Sequence, residues 1–292
     1  MTTLDRFVAI NLNTETATFH VSTPMARVYG RGGALIASTS DHWLTIPEGG
    51  GYRLELHTSQ GWQPPTHLDA GIAVAEFGQS NIVRSFGNHG ITTRDPHTWQ
   101  FGADGTISQL SGDGASDLAN QMRQDFGCPV ALMNCAVGGT SVLRADVGAN
   151  GQWWDGGPLE TRAEAMLAAT GLDRFDFAIW GGGEADAKAH QTDTAALHQA
   201  YDDVFTWIND TFNPEHLLVQ EIGNTLTSIN QPYFDLVRMA EDQATSDPGS
   251  FASIGAITTD FPNVDGVHFA PPTYVLIADR MASSIHAWYL TH

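Results

Sequence analysis

Apolar positions fall into two regimes along this chain of 292 residues. Up to about residue 70 they come in short β-rich runs: Arg6 to Leu12, Thr18 to Ser22, Ala26 to Tyr29, Gly33 to Ser38, Trp43 to Ile46 and Tyr52 to Thr58. Turn-forming residues separate these runs, as in Pro47-Glu48-Gly49-Gly50-Gly51, and no helical period is present. The pattern predicts a small antiparallel sheet or sandwich. Pro64-Pro65 marks a boundary between residues 63 and 71, dividing the chain into a β-rich unit, 1–70, and a second unit, 71–292. The first unit reads as a packing appendage, or as a sugar-binding or assembly module.

From residue 71 strands alternate with helices. Apolar runs at Gly71 to Phe77, Val130 to Asn134, Phe175 to Trp180, Leu217 to Ile222 and Phe251 to Ile257 predict five buried strands. Between and after them, 113–126, 159–170, 193–211, 231–245 and 272–290 read as helices. Asp113 stands as the cap of the first and Gly127 as its stop. The last helix carries a stripe of Val275, Ile277, Ala278, Met281, Ala282, Ile285 and Trp288, close to the helical period. Strands and helices in this rhythm imply an α/β fold: a five-stranded parallel sheet covered on both faces. The stretch from Ile82 to Gly112 breaks the rhythm. It holds Arg84, Asn88, His89, Arg94, Asp95, His97, Trp99 and Phe101, and reads as a wall of the active site or as a surface loop.

Composition narrows the function classes. The formal net charge is −20, from 33 acidic and 13 basic residues, and Lys188 is the only lysine. Nucleic-acid binding needs phosphate neutralisation, so that class is excluded as an expectation, and an acidic membrane surface would repel the chain. No basic segment followed by an apolar core opens the sequence, so no signal peptide is expected, and no ~18-residue apolar run predicts a membrane span. Cys128 and Cys135 bracket a predicted strand. Seven extended residues separate them by ~23 Å, too far for a disulfide, so two free structural thiols are expected.

Four short blocks carry the chemistry. Glu76-Phe77-Gly78-Gln79-Ser80-Asn81 closes the first parallel strand, and Ser80 falls at its carboxyl end, where open α/β sheets place ligands. Asn134-Cys135-Ala136-Val137-Gly138-Gly139-Thr140 follows the second strand. Trp180-Gly181-Gly182-Gly183-Glu184 follows the third, and Asp265-Gly266-Val267-His268 precedes the last helix. A serine becomes nucleophilic when a base takes its proton and a third group holds that base. Asp265, three residues before His268, can fold onto Nδ1 and leave Nε2 facing Ser80. An oxyanion needs N–H donors aimed at it, for which the Ser80 N–H and the Gly138-Gly139 turn are candidates. Glu184 and Asp186 read as structural, and no histidine at ligand spacing accompanies them, so no metal is expected there; the serine chemistry itself needs no organic cofactor.

In this order the blocks resemble those of the SGNH (GDSL-like) hydrolases, and within them the sialate O-acetylesterase-like carbohydrate esterases, whose first block reads Gly-Gln-Ser-Asn. The resemblance covers residues 71 to 290. It implies a flavodoxin-like three-layer sandwich and removal of O-acetyl groups from a polysaccharide or a sialic-acid-like sugar. It places the nucleophile on Ser80, the acid and base on Asp265 and His268, and an oxyanion donor on Gly139. Gln79, Asn81, Trp99, Trp153 and Trp154 are the expected substrate contacts. The third block departs from the family's Trp-x-Gln-Gly-Glu: Gly182 stands where a glutamine would donate to the oxyanion. A backbone N–H of the Gly181–Gly183 run, with Gly182 as a candidate, or a water, or another side chain would have to fill that gap.

Two other readings stay open. One is a carbohydrate-binding or structural module with an impaired site, and the other an esterase on lipid or aryl esters. The β-rich first unit also suits a piece of a larger extracellular or virion-associated protein acting on polysaccharide.

Overall fold

The computed structural model describes residues 5–143, 150–153 and 156–292. The first part of the chain forms β1 (Arg6–Ala9), β2 (Thr16–His20), β3 (Met25–Tyr29), β4 (Leu35–Thr39), β5 (Trp43–Pro47), β6 (Gly49–Thr58) and β7 (Gly61–Trp62). β3 pairs antiparallel with β4 and β6, β6 with β7, and β2 with β5 in a separate ribbon. Burial alternates along β2, β3 and β5, as a sheet with one covered face requires.

The next strand, β8 (Thr66–Gly78), is the longest and joins the two parts of the molecule. Its first half pairs with β1 and β6, and its second half with the central sheet. The boundary expected at residues 70/71 therefore lies inside one strand. One apolar core runs across it, from Val28, Leu44 and Ile46 through Leu68 and Ala70 to Ile72 and Val74.

After β8 come α1 (Ser80–Ser85), β9 (Thr98–Phe101), β10 (Ile107–Gln109), α2 (Asp113–Phe126), β11 (Val130–Asn134), α3 (Pro158–Thr170), β12 (Phe177–Gly181), α4 (Glu184–Lys188), α5 (Thr194–Phe212), β13 (His216–Gln220), α6 (Gln231–Ser246), β14 (Ala252–Ala256) and α7 (Pro271–Tyr289). The five strands read from the apolar runs lie side by side as β11-β8-β12-β13-β14, all parallel. That is the doubly wound order 2-1-3-4-5. The long stretch after α1 is not only loop: β9 adds a sixth parallel strand against β11, and antiparallel β10 closes that edge.

Side chains leave each strand alternately, and the two core clusters follow that alternation. Ile72, Val74, Val130, Leu132, Phe177 and Ile179 face α2 and α7. Ala73, Ala75, Phe77, Ala131, Met133, Ala178 and Trp180 face α3, α5 and α6. On α7 the buried stripe holds Ile277, Ala278, Met281, Ala282 and Ile285, with Tyr274 rather than Val275 at its start. Asp113 is the first residue of α2, not its cap. Its carboxylate accepts the N–H groups of His89, Ile91 and Thr92 and so ties the preceding loop to the helix. Both cysteines are free and buried, and burial pushes each thiol up to about 12. Among the described residues no helix is long and apolar enough to cross a membrane.

Buried carboxyls give the fold a pH signature. Burial raises Glu76 to about 8, and raises Asp176 to about 7 against the Ala73 N–H and Arg174 that pull it down. Both groups bind a proton more tightly folded than unfolded, where they titrate near ~4. Their stabilisation is complete below ~4 and is lost as pH rises toward 7–8. Thermal unfolding across pH 4.5–8.5 should show the melting temperature falling with pH, and Glu76→Gln should flatten the slope and raise the melting temperature at pH 8. An unchanged slope in that variant would show that Glu76 is not the titrating group.

A second prediction concerns Gly78, which ends β8 with φ +111°. A Cβ there would stand 2.0 Å from the Gly181 carbonyl oxygen of β12. Gly78→Ala should cost about 3 kcal/mol or more in denaturant unfolding, since both the backbone angle and the contact oppose it.

Candidate active site

β8 and β12 end level with each other, with Gly78 opposite Gly181. Gln79 N–H then donates to Gly181 O at 2.8 Å, and the chain turns into α1 with Ser80 as its first residue. The first amides of a helix have no acceptor within it, so the Ser80 N–H is free of the helix ladder.

The Asp265–His268 loop lies between β14 and α7. Val264 N–H donates to His268 O at 2.7 Å, and Gly266 supplies the φ of +94° that the turn requires. Asp265 Oδ1 accepts the N–H groups of His268 and Val267, at 2.9 and 3.2 Å. Its Oδ2 lies 2.7 Å from His268 Nδ1, and His268 Nε2 lies 2.8 Å from Ser80 Oγ. Desolvation raises the Asp265 carboxyl, but the His268 side chain and the two backbone N–H groups outweigh it and hold it at about 2. The carboxylate therefore stays charged through the physiological range and fixes the Nδ1–H tautomer of His268.

The Gly138-Gly139 turn reaches Ser80 from β11. A Cβ on Gly138 would touch Ser80 Cβ at 3.5 Å, and Gly139 has φ +74°. Asn150 holds the turn: its Nδ2 donates to Gly138 O at 2.6 Å and its N–H to Gly139 O at 3.2 Å. Asp186 supports the same segment from below, accepting the Val142 and Leu143 N–H groups at 3.1 and 3.3 Å. These pieces enclose an open cleft of about 650 Å³, with Ser80, His268, Gly138, Gly139 and Asn150 on its walls.

Behind the cleft sits a buried polar network. Glu184, fully enclosed, accepts from the side-chain amides of Gln79 and, at 2.5 Å, Asn81. Asn81 Nδ2 also reaches Val267 O at 3.0 Å, and Asn81 Oδ1 accepts the Tyr274 hydroxyl at 2.9 Å. Burial raises the Glu184 carboxyl, while its own N–H and the two amides oppose the rise.

The structure relocates several residues expected to meet substrate. Asn81 spends its amide on Glu184, Val267 and Tyr274, so it supports the loops instead of facing the cleft. Gln79 lines the cleft but gives its amide to Glu184. Trp153 is 1% exposed, packed edge-on to Phe77 and Trp180, with its N–H on Thr140 Oγ1 at 3.1 Å. It is core and offers no face to a sugar. Trp99 sits on β9 level with Ala73, seven residues before Ser80 along the strand direction, and donates to buried Asp69 at 2.8 Å. Trp154 lies outside the described residues.

At Gly182 a Cβ would meet Gln79 Cγ at 3.3 Å and Trp180 at 3.4 Å, so neighbouring side chains already occupy the space beside it. Its carbonyl accepts the Tyr201 hydroxyl at 3.2 Å. Of the polar cleft residues, Asn150 and Lys188 escaped the sequence reading, while Arg84 lies in the stretch read as a wall of the site or a surface loop. Arg84 is one helical turn beyond Ser80, and that spacing was a usable signal. Asn150 carried none, being eleven residues beyond Gly139 of the turn that it holds. Among the described residues the group with metal-ligand spacing is His198, Asp202 and Asp247, which does not line the cleft.

Compared with protein-family models and with curated proteins, the sequence gives no match. Solved structures do match. A carbohydrate acetylesterase from Xanthomonas citri superposes with a TM-score of 0.63 at 14% identity, over 98% of this chain and 73% of that one. NanS gives 0.52 at 13% identity, over 76% and 98%. A family two carbohydrate esterase from Cellvibrio japonicus gives 0.50 at 13% identity, over 99% and 95%. At these identities the likeness is one of fold: the chain has the mixed α/β fold, helices packed around a largely parallel sheet, of its carbohydrate-esterase neighbours.

Proposed function

We propose that the chain is a serine esterase that removes O-acetyl groups from a carbohydrate. The observation that carries this reading is the unbroken hydrogen-bonded series from Ser80 Oγ through His268 to Asp265, opening onto a cleft. The carbohydrate-esterase names of the fold neighbours support the choice of substrate.

In the proposed mechanism the acetyl carbonyl enters beside Gly138. His268 Nε2 removes the Ser80 proton as Oγ attacks the carbonyl carbon, and Asp265 stabilises the imidazolium. The Ser80 and Gly139 N–H groups hold the tetrahedral oxyanion. His268 then protonates the departing sugar oxygen, leaving acetyl-Ser80. Water, deprotonated by His268, attacks that ester, and collapse releases acetate and restores the serine hydroxyl. Each step transfers one proton through a single imidazole, and the residues present supply every group used.

Acetate release from p-nitrophenyl acetate and from an acetylated polysaccharide should be measured for wild type, Ser80→Ala and Asp265→Asn. Ser80→Ala should abolish both activities, and undiminished hydrolysis in it would falsify the reading. Asp265→Asn should lower kcat roughly 10²–10⁴-fold with a smaller change in KM, because it loses the tautomer and orientation of His268. Folded wild type that binds sugar yet turns over neither ester would favour a binding module, and a preference for long acyl chains would favour a lipid esterase.

A further inference from the structure

The cleft carries a charge that the rest of the chain does not. With 33 acidic residues against 13 basic ones, an anion approaching a random point on this surface is repelled. Almost every cation is already engaged. Among the described residues, each arginine other than Arg84 meets a carboxylate, a carbonyl or an aromatic ring. The side chains of Arg84 and of Lys188, the only lysine, make no hydrogen bond, ion pair or ring contact with a described residue. Both are exposed, and both line the Ser80 cleft.

Their positions follow from two short helices. Arg84 is four residues after Ser80 on α1, and Lys188 four residues after Glu184 on α4. Residues at that spacing share a helix face, one turn of ~5.4 Å apart. Among the described residues, the other charged or titratable groups on the cleft walls are His268 and Glu184. Glu184 is buried behind its two amide donors, and Asp265 stands behind His268. Among the described residues, two cations without a charge partner thus stand exposed on the cleft wall.

Resting on the esterase reading above, we propose that the O-acetylated sugar taken by this cleft carries a carboxylate, and that Arg84 and Lys188 select it. Arg84 presents a planar fork that matches a carboxylate, and Lys188 adds a point charge. The neutral remainder of the cleft wall, including Val83, Ala185, Ala189 and Val267, packs against the sugar ring.

The test compares kcat/KM on an acetylated oligogalacturonide and on an acetylated xylo-oligosaccharide, for wild type, Arg84→Gln, Lys188→Gln and the double variant. Wild type should favour the acidic substrate, and the acidic-to-neutral ratio should fall about tenfold in the double variant, through kcat as well as KM. Raising the ionic strength from 20 to 500 mM, values set by the experimenter to span weak and strong screening at roughly those levels, should erode the ratio in wild type and leave it flat in the double variant. A second arm needs no turnover: calorimetric binding of unacetylated oligogalacturonide to Ser80→Ala should weaken when Arg84 and Lys188 are replaced. Equal or better use of the neutral ester by wild type, with a ratio that the double variant does not move, overturns the inference and leaves the esterase intact. Cation-dependent binding without turnover of either ester by wild type keeps the anion site and removes the esterase.

Discussion

One buried carboxylate organises the loops around Ser80. An enclosed Glu184 would be costly without partners, and its partners are the side chains on either side of the serine, Gln79 and Asn81. Ser80 is therefore clamped from both sides. Asn81 carries the constraint on to Val267 O, one residue before His268, and to Tyr274 at the start of α7. The 2.8 Å contact between His268 and Ser80 is thus set from the back wall of the cleft and from Asn81 and Tyr274 beyond it. Because each polar group in such a network depends on the others, removing one leaves a buried partner unsatisfied.

The sheet supplies the other half of the constraint. Gly78 and Gly181 end adjacent strands at the same level, and the absence of side chains lets Gln79 N–H reach across to Gly181 O. Below that edge, Phe77, Trp153, Trp180 and Trp207 interlock edge-on or tilted in one aromatic block. The block takes residues from the first and third sheet motifs, from the segment after Gly139 and from α5. Its rigidity holds three loops at fixed separation, as a site held by packed elements demands.

The strands and helices after residue 71 were legible because buried parallel strands read as uninterrupted apolar runs. Asp265 and His268 were legible because a short loop leaves little freedom between them. β9 and β10 were not, since Thr98-Trp99-Gln100-Phe101 is too short and too flanked by polar residues to stand out from its loop. The continuity of β8 was hidden by Pro64-Pro65: the prolines precede the strand and do not end a unit. Trp153 misled for a physical reason. Tryptophan beside glycines suits a sugar platform and a core equally, and only the depth of the neighbouring sheet separates the two. Lys188 was visible as a compositional oddity, but its place on the Ser80 cleft depends on where the tertiary fold sets α4.

Gly182 links the chemistry to the charge. A Cβ at 182 would stand 3.3 Å from Gln79 Cγ and 3.4 Å from Trp180, so a side chain there would press on one of the two residues that hold Glu184. The proposed oxyanion hole then rests on the backbone donors of Ser80 and Gly139. A missing donor is worth roughly 10²–10³ in rate. Binding energy from a remote part of the substrate can offset such a loss only when it holds the acetyl group in the reactive geometry. A charged group fixed by Arg84, on the same short helix as the nucleophile, would act at that point, because one rigid turn relates the anchor to the reacting oxygen.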